Sequence, residues 1–174
     1  MALTKVTGAG IGTVTNQFAD ANMSAGSVLQ VTYGTTNAFS NTSSTSFAAT
    51  AIKANITPKF STSKILIQVQ VNGVHTAQRI TAMGLAIYKG IEGSTMSSLT
   101  EFDNATGYTH ANDHAVYGGS IAYNFLMSDA IGNTGNNRFE IYFKRVGGSG
   151  AVYFNNYAAN TETRSSVTLT EIAV

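Results

Sequence analysis

The run Ser63 to Gly73, SKILIQVQVNG, places Ile65, Ile67, Val69 and Val71 in alternation with Leu66, Gln68, Gln70 and Asn72. Successive side chains on a strand point to opposite faces, so this run predicts a strand with one apolar face and one largely polar face. Asn72-Gly73 then supplies the positive φ of a turn at low steric cost. The same period of two returns at Ile121, Tyr123, Phe125 and Met127, and again at Phe139, Ile141 and Phe143. Each set predicts one buried face, and the inward residues expected to form the core are Ile65, Ile67, Val69, Tyr123, Phe125, Phe139, Ile141 and Phe143.

Less regular segments at 28–33, 46–56, 83–89, 151–157 and 164–173 bring the expected strands to eight. Gly90 to Gly93, Gly132 to Gly135 and Gly147 to Gly150 punctuate them. Strands 138–145 and 151–157, joined across the Gly-rich turn, read as a hairpin. No segment has an amphipathic helical stripe with good caps, so helices should be few and short. Eight strands with one wet face each need a partner layer, which predicts an all-β antiparallel β-sandwich, jelly-roll-like, over residues 27–174. Pro58, the sole proline, falls between strands, where a missing N–H costs little.

Residues 1–26 differ. Leu3, Val6, Ile11, Val14 and Phe18 are scattered among Gly, Thr and Ala with neither helical nor strand period. They read as a flexible N-terminal arm with little core of its own.

Charged residues make up 11% of the 174-residue chain and the net charge is +1. Such a balance offers no electrostatic excess for nucleic-acid phosphates or an anionic membrane, so neither is expected as a partner. Without cysteine, disulfides and thiolate zinc sites are excluded. The first residues carry one Lys and no continuous apolar run, which argues against a secretory signal, and no stretch approaches the ~20 apolar residues of a helical membrane span.

The candidate chemistry is thin. Gly8, Gly10 and Gly12 are spaced GxGxG rather than GxGxxG and lack the strand and helix that would cradle a dinucleotide phosphate. His110 and His114, with Asp103 and Asp113 nearby, could converge on a metal if helical, but on a strand the two imidazoles would stand about 13 Å apart. A solvated loop is the expectation, with no metal or cofactor. Glu101 and Asp103 would share a strand face about 7 Å apart, a separation that suits an inverting glycosidase, yet two acids in a polar loop are commonplace. There is no GxSxG elbow. Tyr117, Tyr123, Tyr142, Tyr153 and Tyr157 are favoured in strands and can also stack on sugars, so a glycan-contacting loop remains a rival reading, with Tyr108, Asp113 and His114 as its candidate contacts.

Four blocks carry a resemblance to a known class of protein: Val28 to Val31 (VLQV), Thr45 to Phe47 (TSF), Ile56 to Pro58 (ITP) and Ser63 to Ile67 (SKILI). Together with the start MALTKVTG they resemble bacteriophage virion structural proteins, especially tail-fibre and appendage proteins of marine and cyanobacterial phages, over about a quarter of the chain. The resemblance implies a non-enzymatic β-sandwich module of a virion, commonly trimeric: a short fibre, a fibre tip or a capsid-decorating protein. The nearly uncharged, tyrosine-rich body and the isolated apolar residues of the arm both call for partners. The expected arrangement is a homotrimer attached to other virion proteins, of the capsid or tail, through Leu3, Val6, Ile11 and Val14. A receptor- or carbohydrate-binding tip that meets a host-surface glycan is the alternative.

Overall fold

The computed structural model describes residues 23–76, 82–102, 116–117, 119–155 and 163–174. Among them are twelve strands and no helix: β1 (Val28–Thr36), β2 (Ser40–Thr42), β3 (Ala48–Ile56), β4 (Lys64–Val71), β5 (His75–Thr76), β6 (Ala82–Ile91), β7 (Ser97–Phe102), β8 (Val116–Tyr117), β9 (Ile121–Leu126), β10 (Asn137–Val146), β11 (Val152–Phe154) and β12 (Ser165–Ile172). Every pairing is antiparallel.

Eight of these strands build two four-stranded sheets, in the orders β1-β12-β4-β9 and β3-β10-β6-β7. Counted along the eight, the first sheet holds the first, eighth, third and sixth strands, and the second holds the second, seventh, fourth and fifth. That interleaving is the jelly roll, an eight-stranded pair of Greek keys. The expected fold class is therefore the observed one. Four short strands form a third sheet, β2-β11-β5-β8.

Alternation explains the core. From the first sheet Ile65, Ile67 and Val69 of β4 and Val167 and Leu169 of β12 point inward; from the second come Ile52 and Ile56, Met83, Leu85 and Ile87, and Phe139, Ile141 and Phe143. Val152 and Phe154 of β11 join the same core, with the Phe154 ring edge-on to Phe143 at 5.3 Å. Each of these large side chains contributes about 1.5–3 kcal/mol through removal from water. Tyr123 and Phe125 also face inward but are only half-buried, because β9 is an edge strand. Phe102 of β7 stacks on Tyr123 at 4.4 Å and closes that edge between the sheets.

Two expectations are corrected. Strands β10 and β11 do not form a hairpin: β10 is an inner strand whose edges are both taken, by β3 and β6, so β11 pairs with β2 and β5 instead. The expected strand 151–157 ends at Phe154, since Asn155 adopts φ +52°, a left-handed conformation that leaves the sheet. Asn155 is held there: its Nδ2 donates to the carbonyls of Thr36 and Ala38, and its Oδ1 accepts from Ser165 Oγ at 2.6 Å. The eighth long strand is instead β7, SSLTEF, an edge strand with a register shift at Ile87/Tyr88 that breaks strict alternation.

Candidate functional site

Of the four blocks that carry the resemblance, three meet around one carboxylate far away in sequence. Glu171 lies on β12 at an inward position continuing Val167 and Leu169, and it is fully buried. Lys59 N and Phe60 N donate to its Oε1 at 2.8 and 3.2 Å, and Gln30 Nε2 donates to its Oε2 at 2.6 Å. The same Gln30 amide donates to Thr57 O at 2.7 Å. Gln30 belongs to VLQV, Thr57 to ITP, and the buried Ser63 opens SKILI.

The intervening loop is fastened further by Ile131 N to Ser63 O and Gly132 N to Ser61 O, at 2.8 and 2.9 Å. Burial opposes the charged form of Glu171. Hydrogen bonds from Gln30 and the Lys59 and Phe60 amides outweigh it, with the nearby Ser63 hydroxyl contributing although it makes no hydrogen bond of good geometry, and the carboxyl is held below its ordinary range. This clasp joins β1, the β3–β4 crossover and β12. Its chemistry is that of a buried fastening.

A folded-state pKa below the unfolded value stabilises the protein fully above the unfolded carboxylate range, near 4.5, and the contribution is lost as pH falls through the folded value. Glu171→Gln puts an amide N–H against backbone donors and is expected to cost about 2 kcal/mol at neutral pH. It should also flatten the loss of stability below pH ~4.5, measured as urea midpoints from pH 3 to 7. A variant with the wild-type acid profile would show that Glu171 does not carry that dependence.

Among the residues singled out from sequence, Glu101 lies exposed on β7, where Ser98 Oγ donates to its Oε1 at 3.1 Å. Asp103, Tyr108, His110, Asp113 and His114 lie outside the described residues, as do Leu3, Val6, Ile11 and Val14. The described residues contain no group of three or more acidic or His side chains arranged to hold a metal ion. Between the sheets a crevice lined by Val69, Leu85, Ile87, Phe102, Tyr123 and Ile141 is wholly apolar and too narrow for water.

The loop after β9 is pinned from within. Ile131 is buried, and Asn137 Nδ2 donates to Asn133 Oδ1 and Gly135 O, both at 2.8 Å. On the third sheet an aromatic stack runs Phe39–Tyr153–His75, with ring centroids 5.9 and 4.5 Å apart, and burial pushes the His75 imidazole below its ordinary pKa.

The two outer sheet faces differ in character. The second sheet shows Lys53 opposite Glu140, Arg138 ion-paired to Glu140 and Glu92 at 3.3 Å each, and Tyr88 stacked on Tyr142 at 3.9 Å, with Lys144 over the Phe47 ring. The first sheet is built from rows that the register defines: Val31, Thr170, Leu66 and Leu126; Tyr33, Thr168, Gln68 and Asn124; Thr35, Ser166, Gln70 and Ala122. No residue in those rows is charged. Val31, Tyr33 and Leu126 are 56%, 75% and 51% exposed.

No family model matches this chain, and no curated protein sequence matches it.

Solved structures do. The chain is similar to the VP2 subviral particle of infectious bursal disease virus, with a TM-score of 0.42 and 13% identity, over 85% of this chain and 39% of that one. It is similar as well to the Gx strain of that virus, at a TM-score of 0.35 and 12% identity over 84% and 38%, and to the Gt strain, at 0.35 and 11% over 85% and 37%. The chain thus spans about two fifths of the length of the chains it matches.

Proposed function

We propose that this chain is a non-enzymatic structural protein of a virion, a jelly-roll module that associates into a homotrimer and is attached to capsid or tail proteins by residues 1–26. The observation that carries the reading is the outer face of the first sheet: three successive rows across four strands hold no charge while exposing Val31, Tyr33 and Leu126. A solvated face is ordinarily rich in charge, so a charge-free face that exposes large apolar side chains along both of its edge strands suits an interaction surface. The resemblance of the VLQV, TSF, ITP and SKILI blocks to phage appendage proteins supplies the virion, and a short fibre, fibre tip or capsid-decorating protein is the role it suits. The non-enzymatic part of the reading rests on that resemblance, and Glu171, held by Gln30 and the Lys59 and Phe60 amides, suits a fastening.

Deletion of residues 1–20 tests the attachment. Fixing an arm costs about 1–2 kcal/mol of backbone entropy per residue, which only burial of Leu3, Val6, Ile11 and Val14 on a partner would offset. The truncated chain is expected to remain folded and oligomeric and to be lost from particles in a virion-incorporation assay. A truncated chain that unfolds would assign the arm to the core, and one that still incorporates would remove its attachment role.

The Phe39–Tyr153–His75 stack favours a second reading, a receptor- or carbohydrate-binding tip, since a flat exposed ring such as Phe39 can take a sugar face. Binding on a glycan array that Phe39→Ala abolishes would support it, with Tyr108, Asp113 and His114 as further contacts to test.

A further inference from the structure

We infer that the surface through which copies of this chain associate is the outer face of the β1-β12-β4-β9 sheet, and that its occupant is further copies of the same face; the inference rests on the proposed self-assembly and specifies where it occurs. Three features of the face converge on this.

The first is where charge has been placed. Lys64 stands at one end of the face and Arg164 just beyond the other, so both lie on the rim and the centre is neutral. The opposite face, by contrast, is laced with Arg138, Glu140, Glu92 and Lys53 in ion pairs and cross-strand pairs. Depletion of charge at the centre with charge at the rim is the anatomy of a protein interface.

The second is self-complementarity. The polar groups of the central rows are Thr168, Ser166, Thr35, Gln68, Gln70 and Asn124, all hydroxyls or amides that both donate and accept. Gln68 Nε2 already donates to Asn124 Oδ1 at 3.0 Å, which leaves further donors and acceptors of both groups for another copy. A charged partner would find no counter-ion here and would be desolvated at a loss. A second neutral amide-and-hydroxyl face meets no such penalty.

The third is size. Four strands about 4.8 Å apart and eight residues rising about 3.3 Å each make a footprint of roughly 500 Å² per copy, or about 1,000 Å² where two copies meet face to face, the lower bound for a specific interface. Tyr33, the most exposed large hydrophobic side chain of the described residues, stands in the middle row on the edge strand β1, with Val31 beside it.

Sedimentation equilibrium of the full chain and three variants tests the assignment. Val31→Glu and Leu126→Glu each place a charge in the first row, and Gln68→Glu does so at the centre with almost no change of shape. Ala51→Glu, exposed on the outer face of β3, is the control. The three face variants are expected to weaken association roughly hundred-fold while far-UV circular dichroism and melting remain those of the wild type, and the control is expected to associate normally. Should Val31→Glu or Leu126→Glu fail to fold, the isosteric Gln68→Glu decides. Face variants that associate like the wild type would overturn this surface and leave the trimer standing. A wild-type chain that sediments as a monomer at high micromolar concentration would overturn both.

Discussion

Gly34→Ala is expected to yield little folded protein. Gly34 sits inside β1 at an inward position, where β1 passes directly over β3 of the other sheet. A Cβ added there would lie 1.8 Å from the Lys53 carbonyl oxygen and 2.9 Å from its carbon. Both are backbone atoms, so no rotamer change relieves the collision, and β1 must lift away from β3 or both strands must shift. Overpacking that side chains can absorb costs about 1–3 kcal/mol, and this case, where none can yield, is expected to exceed about 5 kcal/mol, comparable to the whole stability of a domain. Soluble yield and urea denaturation measure it. Gly119→Ala is the control, because its added Cβ would meet nothing within 4 Å, and it should stay within about 1 kcal/mol of wild type. A Gly34→Ala protein with the wild-type midpoint would show that β1 and β3 are not so close.

Phe139→Ala and Phe143→Ala are each expected to cost about 3–5 kcal/mol, through the lost transfer of a large side chain and the cavity left behind. Both rings are fully buried on an inner strand flanked on both sides, so neighbouring backbone cannot collapse into the space. Phe125→Ala, half-buried on the edge strand β9, is expected to cost about 1–2 kcal/mol, because water already reaches part of the ring. Chemical denaturation of the three variants reads the order directly. Equal costs for Phe125 and Phe139 would mean that β9 is covered in the folded protein, as it would be inside an assembly, and unchanged midpoints for Phe139 and Phe143 would refute the register of β10.

Glu171 shows how the readable and unreadable parts of the sequence divide. Its period was legible: Val167, Leu169 and Glu171 fall on one face of β12, so an acid at an inward position was there to be noticed. Its partners were not. Gln30 lies 141 residues away and the Lys59 and Phe60 amides more than 110, and alternation says nothing about which loop will cross above a given strand end. Once the loop is seen to wrap the carboxylate, the VLQV, ITP and SKILI blocks acquire a physical reason for occurring together. The aromatic stack of Phe39, Tyr153 and His75 was hidden for the same reason, since three short strands from distant segments bring the rings together.

What the sequence determined by itself was local and periodic. A side chain on an extended backbone must face one way or the other, so the alternation in β4, β9 and β10 specified which residues face the core, and the lack of helical period together with eight apolar-faced segments specified a two-layer β fold. Tertiary structure decided everything that depends on which strands become neighbours. The Gly-rich turn after β10 is compatible with a hairpin, and only the occupation of both β10 edges by β3 and β6 sends β11 elsewhere. Likewise Val31, Leu66 and Leu126 are unremarkable singly, and they become one uncharged row only because β12 and β4 pair in the register that aligns them, a pairing set by long-range burial of the opposite face rather than by any local preference of the chain.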